Sequence, residues 1–426
     1  MTPRGLLRDP RLLSIAGASF GQIFLLGAMI VVSRAFSEEQ LSEYGIVFTL
    51  FSIFQVCVTL HLDSGLVYEK KPHHAAALAR AAWLVILPVS LVCSAGAAFY
   101  LALNPITSER ALVLTLMLLT TQAASGGIRI VSSLIARADR FHSLALLSFF
   151  RPTTVAATQM MVLAFGVGFG RLPFALACSQ LLMLGLVFGL AWRTGALPAI
   201  RTTFADARKA FRRNRDFPLY TLPQNLISII SESLIPLSLA FLFPADGGAV
   251  AMFWLAARSI SAPATVVIDS IRMMVYRTVA RLGRTAAAYI LKLSTLLGLL
   301  AVAGTLVLVV AGDDLFAFVY GERWREAGPY AIILALRVAL SMWSLPITGV
   351  LPVLRLQGYN FWSELVAALV RTGTLFLIPW ETPLQALAWT TIAFTLVRGL
   401  SFLYVLYAAV RYGKQVPPSG DSAGTA

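Results

Sequence analysis

The chain has 426 residues, 58% of them hydrophobic and only 13% charged, and a mean hydropathy of +0.78. Such apolarity excludes a soluble globular domain, and a formal net charge of +14 needs no nucleic-acid partner when basic residues collect on one side of a membrane. Cys57, Cys93 and Cys178 all fall in apolar runs, which excludes a CxxC metal site and gives no disulfide framework.

Met1 to Leu13 carries Arg4, Arg8 and Arg11 and leads into an apolar run from Leu12 to Ser33. That run outlasts a signal-peptide core and lacks a cleavage site, so a retained first helix is expected. A helix crosses the hydrocarbon core in about 20 residues. On that measure twelve spans follow in order: 12–33, 45–68, 81–103, 111–136, 144–168, 174–192, 217–243, 249–276, 293–311, 329–354, 361–379 and 385–410. The runs are long and lack the two-residue alternation of an outer-membrane barrel, so the expected fold class is all-α.

The loop charges support this layout. The amino terminus, alternate loops and tail hold 22 Lys and Arg, including Lys70, Lys71, Arg80, Arg137, Arg140, Arg281, Arg284, Arg411 and Lys414. The opposite loops hold five: Arg34, Arg110, Arg171, Arg323 and Arg325. Both termini are therefore expected in the cytoplasm. The connection 193–216 is the longest on that side and rich in arginine, and it divides the spans six and six. Expected domains are an N-terminal lobe 1–200, a basic cytoplasmic linker 201–216 lying on anionic membrane lipids, a C-terminal lobe 217–412 and a tail 413–426. Thr59-Leu60-His61-Leu62-Asp63-Ser64 is echoed by Thr265-Val266-Val267-Ile268-Asp269-Ser270, which suggests parallel repeats around a central cavity.

The chemistry should reside in charges left within the spans, since burying them is expensive. Seven are arginines (Arg129, Arg151, Arg258, Arg272, Arg337, Arg371, Arg398) and four are acids (Asp63, Glu232, Asp269, Glu364). Rise per residue places Arg258, Arg371 and Arg398 about nine to thirteen residues from a helix end, too deep to snorkel. Arg129, Arg151, Arg272 and Glu364 lie close to the cytoplasmic ends, and Arg337 close to the external side. An arginine-rich interior suits an anion, and the guanidinium fork fits phosphate, so these seven arginines are the expected substrate ligands. The competing reading is mutual neutralisation: Asp269 with Arg272 on one helix, and Glu232 with Arg258 or Arg398. Three positive charges remain even then. Asp63, Glu232 and Asp269 are the candidates for coupling to protons or sodium, because a carboxylate in low dielectric takes up a proton more readily. No catalytic group, metal site or cofactor loop is recognised, and His61, His73, His74 and His142 lack metal spacing.

Several patches resemble bacterial polysaccharide flippases, the O-antigen and capsule branch of the multidrug, oligosaccharidyl-lipid and polysaccharide exporter superfamily. In Leu315 to Leu334, the residues Gly321, Glu322, Trp324, Ala327 and Gly328 match that family's segment before its tenth helix. Leu60-His61-Leu62-Asp63 is similar to the family's Leu-Arg-Leu-Asp, with histidine for arginine at 61, and Gly21-Gln22 and Glu43-Tyr44-Gly45 also fit. The resemblance implies a monomeric, non-enzymatic inner-membrane flippase. It would move an undecaprenyl-diphosphate-linked glycan outward by alternating access and work beside polysaccharide polymerase machinery. The alternatives are a cation-coupled multidrug antiporter of the same superfamily and a membrane-embedded glycan polymerase or glycosyltransferase. The latter would need an external loop larger than Gly312 to Gly328.

Overall fold

The computed structural model describes residues 10–69, 71–103, 108–166, 171–197, 202–243, 246, 248–282, 287–349, 351 and 356–414. Arg4, Arg8, Lys70, Arg201, Arg284 and the tail beyond Lys414 lie outside them. The described residues form 14 α-helices and no strand, as the uninterrupted apolar runs require. The first seven are α1 (Pro10–Ala35), α2 (Glu38–Cys57), α3 (Leu62–Tyr68), α4 (Pro72–Ala102), α5 (Ser108–Arg137), α6 (Phe141–Phe165) and α7 (Arg171–Arg193). The rest are α8 (Phe204–Arg213), α9 (Leu222–Leu242), α10 (Ala249–Leu282), α11 (Ala287–Tyr320), α12 (Ala327–Thr348), α13 (Gln357–Leu377) and α14 (Pro383–Lys414).

Eight of these helices are long and apolar enough to span a bilayer, and the bent pair α2 and α3 makes a ninth span. The three remaining long helices, α6, α10 and α13, have 25, 34 and 21 residues and so have the length. Their composition is more polar, because they carry Arg151 with Pro152 and Thr153, Arg258 with Asp269 and Arg272, and Glu364 with Arg371. One helical element thus answers each of the twelve expected spans, and the polar exceptions are among the helices that hold the intramembrane charges.

Several boundaries differ from expectation: α2 starts at Glu38 rather than 45, α4 at Pro72 rather than 81 and α11 at Ala287 rather than 293. Helix α11 runs on to Tyr320 rather than ending at 311, and α12 starts at Ala327, so the connection expected over 312–328 shrinks to six residues, 321–326. Gly328 permits this tight return: a Cβ there would lie 2.7 Å from the Asp313 amide nitrogen and 2.8 Å from its Cα. Within the linker, 204–213 forms α8, started by a capping box in which Thr203 and Asp206 exchange hydrogen bonds.

The contacts gather into two compact units, 1–255 with 319–321, and 256–318 with 322–426. In the first, α1 packs on α6, α4 and α7 on α5, α9 on α2, and α8 on α4. Close approach rests on small residues, as expected where packing rather than water expulsion joins helices. A Cβ on Gly21 would lie 2.8 Å from the Phe149 carbonyl oxygen. Ala75, Ala76, Ala77, Ala79, Ala81 and Ala82 are all buried on α4. In the second unit, α14 packs against both α12 and α13, and Val275, Ile290, Ile347, Phe402 and Val405 form its core. Large apolar side chains such as Phe24, Leu299, Leu306 and Val310 stay exposed, which suits surfaces facing lipid.

Candidate functional site

Two charged clusters sit inside the helical bundles, one in each unit. The first forms where the second span breaks. Helices α2 and α3 meet at a 50° bend. Leu60 and His61 there adopt left-handed φ values of 49° and 58°, which costs a non-glycine residue roughly 1–2 kcal/mol each. Non-helical backbone at membrane depth persists only where protein or water satisfies it.

Arg129 of α5 supplies that compensation. Its Nη1 donates to the Gln55 carbonyl at 2.9 Å, and its Nε and Nη2 fork onto Asp63 at 3.0–3.1 Å. Thr59, fully buried, donates its hydroxyl to Oδ1 of the same carboxylate at 2.5 Å. Gly126 lets the break sit against α5, since a Cβ there would be 2.6 Å from Val58 Cγ1. Asp63 is therefore fully engaged in holding the break. His61 buries both ring nitrogens with no hydrogen-bond partner among the described residues.

The second cluster lies between α13 and α14. Arg371 and Arg398 are 3% and 7% exposed, the only arginines among the buried polar residues described. Arg398 donates from Nη1 to the Ser363 hydroxyl at 2.6 Å and from Nη2 to the Asn360 side-chain oxygen at 3.2 Å, and its guanidinium lies 4.4 Å from the Phe402 ring centroid. Arg371 lies over Phe394 at 4.9 Å. Aromatic faces and neutral oxygens satisfy guanidinium protons without cancelling charge. Glu364 is the only acid in the sequence of α13, and α14 has none. Within these two helices, then, arginines outnumber acids.

The other expected ligands are scattered. Arg258 on α10 and Arg337 on α12 are half-buried and make interactions of their own, Arg151 on α6 is exposed, and Glu232 on α9 is exposed. Asp269 and Arg272 belong to the helical backbone of α10, but their side chains lie outside the described residues. The stretch Thr265–Ser270 is continuous helix, so the sequence echo of Thr59–Ser64 does not reproduce the break. The second unit also has an apolar cavity of about 330 Å³ between α10, α11 and α12, lined by Pro263, Leu300, Gly304, Val338, Ala339 and Met342 among others.

The motif residues occupy packing positions. Trp324 is fully buried, Ala327 likewise, and Gly328 receives α11. Gly321 takes a left-handed φ of 112° after α11 ends, where glycine avoids Cβ strain. Glu322 accepts from Arg325 at 2.6 Å, and Arg325 also reaches Asp314. Gly45 faces Trp254, whose Cβ would be 3.2 Å from a side chain at 45, and Tyr44 stacks edge-on with that indole at 5.0 Å. Sequence reasoning missed the Asp63–Arg129 pair, whose members stand 66 residues apart with no local signal.

No family model matches the sequence, and no curated protein matches it. Solved structures share the fold. The inward closed form of the lipid II flippase MurJ superposes with a TM-score of 0.76 at 14% identity, covering 95% of this chain and 89% of that one. An inward-facing multidrug resistance MATE family transporter of the MOP superfamily gives 0.67 at 12% identity, covering 96% of this chain and 100% of that one. A Vibrio cholerae MATE transporter gives 0.55 at 13% identity, over 95% and 98%.

Proposed function

We propose that this chain carries a polyprenyl-diphosphate-linked oligosaccharide across the bacterial inner membrane, from the cytoplasmic to the external leaflet, for surface polysaccharide synthesis. Transport proceeds by alternating access of two six-helix lobes, 1–200 and 217–412, with both termini in the cytoplasm. The observation that carries this reading is the burial of two arginines, Arg371 and Arg398, on packed helices that hold a single acid in their sequences. Buried arginines on helices so poor in acids suit an anion better than an organic cation, and guanidinium forks bind a diphosphate through paired oxygens. The fold shared with a lipid II flippase supports it, as does an apolar cavity in the same unit that offers room for hydrocarbon. Glu232, exposed on α9, is the membrane acid we assign to coupling with protons or sodium.

A multidrug antiporter is the second reading, favoured by the shared fold of MATE transporters and by the neutralisation of Arg129. Deleting the gene in its own host separates the two. Under the first reading a lipid-linked glycan accumulates on the cytoplasmic face and drug susceptibility is unchanged. Unaltered glycan with heightened sensitivity to organic cations would support the second.

A further inference from the structure

A pocket of about 280 Å³ opens between the start of α4 and α8, lined by Glu69, His73, His74, Asp206, Lys209 and Arg213 among others. Its size falls near the lower end of the range for small-ligand sites. The pocket belongs wholly to the first unit and lies apart from both clusters described above. Helix α8 is docked rather than loose: Ala207 and Ala210 are buried, and Ala210 joins the core formed by Leu66, Leu78 and Leu134.

The two acids in the pocket are occupied. Glu69 faces His74 at 3.7 Å and Arg213 at 3.9 Å, and its Oε1 accepts from the Lys71 amide at 3.3 Å. Asp206 accepts from the Thr203 amide at 2.9 Å and its hydroxyl at 2.7 Å, and these bonds hold its carboxyl below the usual carboxylate range. His74 Nδ1 lies 2.8 Å from Arg213 Nη1, which can only donate, so the imidazole nitrogen accepts. The donors that the pocket offers a ligand are Lys209, His73 and the outward N–H groups of Arg213, beside an Asp206 carboxylate whose charge acts on His73 and Lys209. Lys71, Arg208, Arg212 and Arg215 flank these residues in the sequence but are not among those lining the pocket.

The surroundings indicate where that ligand comes from. Trp192 at the end of α7, Phe204 at the start of α8, and Leu219 and Tyr220 just beyond it are 79%, 66%, 58% and 72% exposed. Aromatic side chains concentrate at the level of lipid headgroups, and basic residues beside a span meet anionic lipid. We infer that this pocket binds the phosphate of an anionic phospholipid headgroup from the cytoplasmic leaflet, with Lys209 and Arg213 as its ligands, and so ties α8 to the base of α4.

The test is saturable binding of fluorescent phosphatidylglycerol to the purified full-length chain in detergent, against phosphatidylcholine of the same chain length. Lys209→Gln leaves the Glu69, His74 and Arg213 contacts in place and should weaken binding about ten-fold, the scale of one charge-assisted hydrogen bond. The double variant Lys209→Gln/Arg213→Gln should weaken it at least as much, whereas Arg208→Gln/Arg212→Gln removes equal charge outside the pocket and should change it less than about two-fold. Equal weakening by both double variants would mean diffuse attraction and overturn the pocket. Phosphatidylcholine binding as tightly, or inorganic phosphate binding the pocket as tightly as phosphatidylglycerol does, would overturn the anionic-lipid assignment. None of these outcomes depends on the transported substrate.

Discussion

Arginine plays two opposite parts in this molecule, set by what stands opposite each guanidinium. Arg129 meets a carboxylate and is spent on structure, whereas Arg398 is held by the Ser363 hydroxyl, the Asn360 side-chain oxygen and the Phe402 ring, and Arg371 lies over Phe394. Removing one partner of a buried ion pair costs about 3–5 kcal/mol because it strands the other charge. Asp63→Ala should therefore lower the apparent melting temperature in detergent more than Asp63→Asn/Arg129→Gln does, although the double variant changes two residues. Equal or greater loss in the double variant would contradict the stapling role. Arg398→Ala should abolish surface polysaccharide with normal membrane insertion. Arg398→Lys should restore it only in part, because an ammonium lacks the planar fork. Full restoration by lysine would leave charge alone, without geometry, as the requirement.

At the scale of helices, the spans were legible because apolar length is a strong signal, and even α6, α10 and α13 stood out despite their polar residues. The break at Leu60–His61 was not, because two residues without glycine's freedom carry it and its support comes from α5. Helix α8 was hidden by its basic composition, although Thr203 and Asp206 spell a helix start. The turn into α12 was overextended because Asp313 and Asp314 read as loop residues, whereas they sit on the last turns of α11. The matched motif around it works by packing. Gly328→Ala should therefore cut the yield of folded protein sharply, while Gly185→Ala, where a Cβ meets nothing within 4 Å, should be near neutral. Trp324→Ala should destabilise by about 3–5 kcal/mol, the usual cost of deleting a buried aromatic. Thermal shift of the purified variants measures all three, and a stable Gly328→Ala protein would contradict the close approach of α11 and α12.

For the whole molecule, the loop charges predict that the amino terminus and tail are cytoplasmic. Cysteines introduced at Ser422 and Thr382 should then respond to a membrane-impermeant thiol reagent from opposite sides, Thr382→Cys from outside and Ser422→Cys only after permeabilisation. The reverse labelling would invert the path of the cargo. The helical layout and its excess of cations were readable from the sequence, because composition and spacing carry them. Which arginines are buried was not, since Arg371 and Arg398 are covered only through the pairing of α13 with α14. The direct test of the account is translocation in liposomes containing the purified chain and a fluorescent polyprenyl-diphosphate oligosaccharide, read as exposure to a membrane-impermeant quencher. The wild-type chain should equilibrate the lipid between leaflets and the Arg371→Gln/Arg398→Gln variant should not; equal rates from the two, or no movement above protein-free liposomes, would contradict it.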